Sequence, residues 1–350
     1  MTVSSVSIVI CTYNRAALLR ETLASLQTLD PPHDCAVEII VVDNNSTDDT
    51  PAVIAEAARD ARPFPIVALH EQRQGKSFAL NTALALAQGD ILALADDDVL
   101  PASGWLRRIV DNFRARDVTF VFGKVLPRWE RTPPAALLTR RAQDIWGPLA
   151  LVDYGDEPTE YPADNRGQRL PIGANLSFAR DAIRRIGGWR TDLGKVNNTL
   201  ISGEDHEIFE RLRRAGSYAG YYDPQATVLH FVPASRVTRR YFRRWFYWHG
   251  KTQALMLDEL YPELDMANTP RVAGIPRFAC RQGLQQIGRW LRSGLGRDHL
   301  EMFINELRVL QFAGFCVECV RRSRSPRAAR SEPLPLSSPT PLGARIVKTR

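Results

Sequence analysis

Long apolar runs are missing from this chain. No uninterrupted stretch approaches the roughly 18 apolar residues that a membrane span requires. The opening residues, MTVSSVSIVICTYNR, carry no basic segment ahead of their apolar run, so no secretion signal is expected. Cysteine is scarce, with five scattered among 350 residues. Cys316 and Cys319 form a lone CxxC without a second pair or a nearby histidine motif. That argues against a disulfide framework or a zinc site and fits a reducing cytoplasm.

An excess of one charge is also missing, except at the end. Residues 321–350 hold eight basic residues against one acid, Glu332, which is the whole of the formal +7. The preceding residues balance to zero. The basic balance therefore describes a tail, and no nucleic-acid partner is expected. Closely spaced glycines are absent from the turn after the first apolar strand. That turn reads "CTYNRAAL", with nothing that lets a helix N-terminus approach a pyrophosphate, and there is no P-loop. A diphosphate bound here needs another source of positive charge.

What is present is alternation. "VSIVIC", "AVEIIVVD", "PIVALH" and "DILALA" are short apolar runs rich in β-branched residues, each read as a buried strand. Between them lie segments with helical spacing, such as "RAALLRETLASLQTL" and "GKSFALNTALALAQGD". Ser46 or Thr47 is read as the cap of the second helix, and Pro101 as the start of the fourth. This order predicts an α/β fold with a mostly parallel sheet covered on both faces, which binds ligands at the carboxyl ends of its strands. Residues 126–170 read as a long excursion, "RLPIGANLSFAR" as a short strand and "GEDHEIFERLRRAG" as a helix. "SYAGYYDPQATVLHFV" contains one or two strands.

The fourth strand ends in Asp96, Asp97 and Asp98. Three adjacent acids repel one another, so they await a positive partner. Carboxylate oxygens at a strand end suit Mg²⁺ or Mn²⁺, which bridges to phosphate. Alternation puts Asp96 and Asp98 on one side and Asp97 on the other. A solvated acidic turn or a helix cap is the competing explanation.

Read together, "VSIVICTYNR", "EIIVVDNNSTDDT" and "GKSFALNTALALAQGDILALADDDV", followed by "GANLSFARDAIRRIGGWRTDLG" and "SGEDHEIFERLRRAG", resemble a family 2 glycosyltransferase over roughly residues 5–235. The resemblance implies the glycosyltransferase A fold, a Rossmann-like sheet flanked by helices, here with a helical C-terminal extension. It further implies a nucleotide-sugar donor, a divalent metal and inversion at the anomeric carbon. By that resemblance Thr12 and Tyr13 line the base and ribose, and Asp43 hydrogen-bonds the base, which suits the N3–H of uracil or thymine. Gly75 and Lys76 approach the nucleotide. Asn81 is a nucleotide contact or a packing residue, and Leu80 stands where many members carry Arg. Asp96 and Asp97 contact the donor, while Asp98 coordinates the metal. His230 reaches the metal or diphosphate, or else is a satisfied core group, and Arg236 covers the diphosphate. Asp205 is the base that takes the acceptor's proton, with Glu204 positioning the acceptor. Gly173, Ala174 and Asn175 form an acceptor-side turn. Trp189 stacks on a sugar or packs in the core.

The expected organisation is a catalytic domain over residues 1–235, divided near 125 into donor and acceptor halves. A helical extension over 236–320 and a disordered basic tail over 321–350 follow. In "TRRYFRRWFYWHG", Arg239, Arg240, Arg243 and Arg244 share one helix face, opposite Tyr241, Phe242, Trp245, Phe246 and Trp248. Such a helix either lies on an anionic membrane or packs its aromatic face inward. The expected function is metal-dependent sugar transfer from a nucleotide-sugar, with UDP favoured. Its acceptor is a glycan or lipid-linked glycan in cell-surface polysaccharide synthesis, in the cytoplasm or at the inner face of the plasma membrane. A nucleotidyltransferase would need a basic loop for a triphosphate, where only Arg15 stands. A nucleotide-sugar-binding module without turnover would not need both Asp98 and Asp205.

Overall fold

The structure, a computed structural model, describes residues 3–59, 62–164, 171–194 and 199–324. The first part alternates as its sequence pattern demands: β1 (Ser5–Thr12), α1 (Ala16–Leu26), β2 (Ala36–Asp43), α2 (Thr50–Arg59), β3 (Ile66–His70), α3 (Lys76–Leu86) and β4 (Ile91–Asp96). The chain continues through β5 (Val99–Pro101), α4 (Trp105–Ala115), β6 (Phe120–Trp129), β7 (Thr159–Pro162), β8 (Asn175–Ala179), α5 (Arg180–Arg185), α6 (Glu204–Arg214) and β9 (Ala219–Val232). It ends with α7 (Arg239–Leu255), α8 (Leu257–Leu260), β10 (Arg271–Val272), β11 (Ile275–Pro276), α9 (Arg277–Ser293) and α10 (His299–Arg324).

The main sheet runs β3-β2-β1-β4-β8-β6-β9-β5, with β7 added on β9. The first four strands pair in parallel. Beyond β4 the sheet turns mixed, because β8 enters antiparallel between β4 and β6. β9 then runs parallel to β6. Completely buried Ile8, Ile10, Ile39, Ile40 and Ile91 fill the parallel half, where helices cover both faces and no strand needs a polar side.

Several local expectations are corrected. Pro101 ends β5 and does not open α4, which begins at Trp105; a three-residue strand is too short to leave a periodicity. Ser46 and Thr47 do not cap α2. Its first N–H, on Thr50, is bonded by the Asp48 carboxylate, while Ser46 accepts from Asn14 N–H and Thr47 N–H donates to the Asn14 side chain. "SYAGYYDPQATVLHFV", by contrast, agrees with the expected one or two strands: it forms one long strand, β9, with a register shift opposite Gly123–Val125 of β6.

The α7 helix packs its aromatic face inward. Phe242 and Phe246 join Leu137, Ile145, Leu149, Val232, Phe303 and Leu307 in a second apolar cluster. Trp245 is half-buried and lies against Gly147. On the basic face, Arg243 pairs with Glu306 of α10 at 2.6 Å. Of the two alternatives for this helix, inward packing is the one seen for Phe242, Phe246 and Trp245, which burial against α10 and the 137–149 segment withdraws from water. A third cluster joins Ala254, Leu257, Met266, Ala279, Phe315 and Cys319. No helix among the described residues is long and apolar enough to cross a membrane. The first residues of the expected disordered tail, 321–324, instead continue α10 to Arg324, and residues 325–350 lie outside the described residues.

Candidate active site

The site forms where β1, β2, β4 and β9 bring their ends together. Parallel pairing places Thr12 beside Asp43, and Cys11 beside Asp96. The chain turns at Asp97 and Asp98 into β5, whose antiparallel register sets Val99 opposite His230. That register is what carries a histidine from far along the chain to the acidic turn.

The three acids find distinct surroundings. Asp97 turns toward β1 and accepts from Thr12 Oγ1 at 2.7 Å. Burial pushes its carboxyl up to about 6, although Arg15 opposes the rise. Arg15 reaches across from the turn after β1 to both Asp97, at 3.3 Å, and Asp98. Asp96 accepts from Lys76 Nζ at 2.8 Å. Burial alone would lower the Lys76 ammonium, yet Asp96, Asp205 and Glu204 together hold it well above its usual range.

Asp96, Asp98 and His230 are the one group among the described residues able to converge on a metal, with ligand atoms within 4.8 Å of one another. Asp98 is 3% exposed and its Oδ1 makes no hydrogen bond. His230 Nε2 lies 3.4 Å from that oxygen. Burial depresses the imidazole's protonation, Asp98 opposes this, and Arg236 adds to it, which favours the neutral ring that ligates metals. Two carboxylates and a neutral imidazole suit Mn²⁺ or Mg²⁺. A buried carboxylate oxygen without a hydrogen bond is costly, and a bound cation would satisfy it. The residues fit a divalent metal.

Asp205 stands in the first turn of α6, which starts at Gly203 in a left-handed conformation with φ 101°. A side chain there would also strike Met256 Sδ, 2.6 Å from a built Cβ. Asp205 Oδ2 accepts the Gly173 N–H at 2.8 Å, while Oδ1 is buried without a hydrogen bond. A Cβ on Gly173 would sit 2.9 Å from Oδ2, so only glycine allows this seat for the carboxylate. Glu204 precedes it and is buried.

The remaining expected residues separate into two sets. Asp43 is buried, with Oδ1 accepting Ser46 N–H at 3.0 Å and Oδ2 3.4 Å from His70 Nδ1. Tyr13, which follows Thr12 in the chain, is 46% exposed. Gly75 N–H donates to Asn44 Oδ1 at 2.7 Å. Arg236 lies half-buried in the turn after β9, near enough to influence His230.

Asn81, Asn175 and Trp189 do not face the site. Both ends of the Asn81 amide are spent on the Trp189 backbone, each at 2.8 Å. Asn175 is 1% exposed, accepts from Trp105 Nε1 and donates to the carbonyls of Lys124 and Ala226. Trp189 is 2% exposed against Phe178 and offers no ring face to a sugar. Asn81 and Asn175 spend their amides within the core, and Trp189 packs there with its Nε1 buried without a hydrogen bond.

Two participants escaped the sequence reading. Arg15 supplies the positive partner of the acidic turn, and the adjacency of the first and fourth strands in a doubly wound sheet is the signal that points to it. Asn44 fixes the loop ahead of α3, donating to the carbonyls of Glu71 and Arg73; no sequence pattern marks it.

With the geometry described, comparison with known proteins becomes informative. A mannosyltransferase from Pyrobaculum calidifontis, solved with GDP-Man and Mn²⁺, shares the fold with a TM-score of 0.51 and 21% identity. That match covers 94% of this chain and 76% of the other. The S. aureus protein TarS, solved as residues 1–349 with UDP, matches with a TM-score of 0.50, 15% identity and 93% coverage of both chains. These likenesses define a glycosyltransferase A fold. Residues 7–186 match the glycosyl transferase family 2, and the chain belongs to that family of inverting, nucleotide-sugar-dependent enzymes. A curated relative, the glucosyl-dolichyl phosphate glucuronosyltransferase of Haloferax volcanii, is 26% identical over 267 residues, covering 74% of this chain and 79% of its own length. The nucleotidyltransferase and the non-catalytic alternatives fall with this membership.

Proposed function

We propose that this enzyme transfers a sugar from a UDP-sugar, with a divalent metal, to a glycan or lipid-linked glycan used in building a cell-surface polysaccharide. Lys76 carries this reading. It bonds Asp96 at 2.8 Å, and the charges of Asp96, Asp205 and Glu204 outweigh burial and raise its ammonium well above its usual range. One cation thus ties the donor acids to the acid proposed as base, although they lie far apart in sequence. A metal-type cluster and a proton acceptor meeting around one lysine suit attack at a sugar carbon bearing a diphosphate leaving group.

In this reading Asp96, Asp98 and His230 hold Mg²⁺ or Mn²⁺, which when bound supplies positive charge to the departing diphosphate. Arg236 and Lys76 add fixed charge. Asp43 receives the uracil N3–H, and Thr12, Tyr13 and Gly75 line the nucleoside. Asp205 takes the acceptor's proton through Oδ1, the oxygen left without a hydrogen bond, while Gly173 holds Oδ2. Glu204 helps seat the acceptor. No covalent nucleophile is required, and one displacement inverts the anomeric centre. Residues 1–235 would form the catalytic domain and 236–320 a helical extension. The dolichyl phosphate substrate in the name of the Haloferax relative supports a lipid-linked acceptor.

The test is a panel of UDP-, GDP- and dTDP-sugars in thermal shift with Mn²⁺. A ligand at a hundred times its Kd stabilises by about 2.7 kcal/mol. UDP-sugars are expected to give the largest shift, and Asp43→Ala to remove the preference. A larger shift with GDP-sugars would show the uracil assignment to be wrong. Transfer of labelled sugar to a polyprenyl-phosphate-linked glycan, compared with the free glycan, tests the acceptor class.

A further inference from the structure

The three most exposed large apolar side chains among the described residues belong to one short stretch: Leu284 at 70%, Leu291 at 60% and Leu295 at 90%. Leu284 and Leu291 lie on α9, and Leu295 follows just past its end. At about 100° per residue, the positions i, i+7 and i+11 fall within roughly 40° of one another if the helical course is carried on. They form a single ridge. Among the described residues nothing covers its neighbourhood, since a Cβ on Gly288 would meet no atom within 4 Å.

The flank of this ridge is basic. Arg281 and Arg292 lie beside the leucines on the same wheel and Arg289 somewhat further round; Arg277 is on the same helix, which contains no acidic residue. Arg281, Arg289 and Arg292 are exposed and no ion pair holds them among the described residues. The opposite face of α9 is the packed one. Ala279 is buried, and Gly283 lies so close to Phe312 of α10 that a Cβ would meet the ring at 2.1 Å. The helix is thus anchored on one side and, among the described residues, unpartnered on the other.

We propose that the outward face of α9 docks on an anionic lipid surface. Leucines between arginines suit a helix lying in the interface, with apolar side chains entering the acyl boundary and guanidinium groups on lipid phosphates. A second copy of the chain fits less well, because a two-fold interface would set the same arginines against each other. The segment 277–295 is too short and too charged to cross a bilayer. This contact uses none of the residues assigned to donor or acceptor, so its failure and that of the sugar-transfer reading are separable.

The test is flotation of the full chain with vesicles of phosphatidylcholine alone or with phosphatidylglycerol. Wild type is expected to partition onto the anionic vesicles at least about tenfold better, and less so as salt rises. The double variant Leu284→Glu/Leu291→Glu and the triple variant Arg281→Glu/Arg289→Glu/Arg292→Glu should each lose at least about tenfold. Both should keep the wild-type Tm and UDP affinity, because the changed side chains are exposed.

No binding by wild type, or equal binding to neutral and anionic vesicles, overturns the proposal. So does undiminished binding by both variants. Binding lost only on reversing Arg327, Arg330, Arg345 and Lys348 would assign the contact to the basic tail instead. If light scattering shows a dimer that the leucine variant dissociates while vesicle binding is unchanged, the ridge is a self-association surface.

Discussion

One strand, β9, serves two buried polar clusters built in opposite ways. At Asp223 both carboxylate oxygens are bonded, Oδ2 by Arg108 at 2.9 Å and Asn112 at 2.7 Å, and Oδ1 by Gln225 N–H at 2.9 Å. Neighbouring Asn175 is equally complete, with Trp105, Lys124 and Ala226 as partners. Further along the same strand, His230 leaves Nδ1 without a hydrogen bond, and Asp98 leaves Oδ1 so. Asp205, on α6, likewise leaves Oδ1 so. Asp98 and His230 are as buried as Asp223 and Asn175, so burial does not distinguish these pairs. Hydrogen bonding does: the network of Asp223 and Asn175 is complete, whereas Asp98, His230 and Asp205 converge with a buried atom each left without a hydrogen bond, where a ligand can offset the cost of desolvation.

The contrast breaks most sharply at Asp205. Asp205→Asn keeps the size and the bond from Gly173 but is a poor base. Turnover should fall on the order of 10²–10⁴, with donor affinity nearly unchanged by calorimetry, because the proton is taken only in the transition state. Wild-type transfer by this variant would move the base elsewhere.

The complete cluster should respond in the other currency. Asn175→Leu leaves the Trp105 indole N–H and the carbonyls of Lys124 and Ala226 without their partner. Stability should drop by about 2–4 kcal/mol, at 1–3 kcal/mol per buried unsatisfied group with partial relaxation. Urea unfolding measures the loss, and the folded fraction should bind donor normally. A folded, stable variant with weak acceptor binding would return Asn175 to the acceptor side.

Gly173→Ala tests the seam between the two. Its methyl would press on Asp205 Oδ2 from 2.9 Å and shift the carboxylate. Turnover should fall about tenfold, since small misplacements of a catalytic group are costly. Tm should change by only a few degrees. An unchanged rate with lowered stability would mean that the contact is merely structural.

The difference between the clusters also explains what the sequence made legible. The first four strands are continuous β-branched runs and announce themselves. Asp96, Asp97 and Asp98 stand out because adjacent acids at a buried strand end have no structural purpose of their own. Asn81, Asn175 and Trp189 sit at positions the motifs mark, but a motif does not say which way a side chain points. Their partners, such as Trp105 for Asn175, come from remote segments that only the folded register brings near. Arg15 was hidden for the same reason, because its acids lie more than eighty positions away and meet it through the pairing of β1 with β4. The aromatic face of α7 shows the limit of a helical wheel, which finds an apolar side but not what covers it.

The most direct test of the central claim, that Asp98 and its neighbours hold a cation required by the donor, is calorimetric titration of UDP. It would be run with Mn²⁺ and in EDTA, on wild type and on Asp98→Asn. Chelation should weaken UDP binding to wild type at least about tenfold, or about 1.4 kcal/mol. Asp98→Asn should bind UDP no better with Mn²⁺ than in EDTA. Equal affinity of the wild-type protein for UDP in Mn²⁺ and in EDTA would contradict the account.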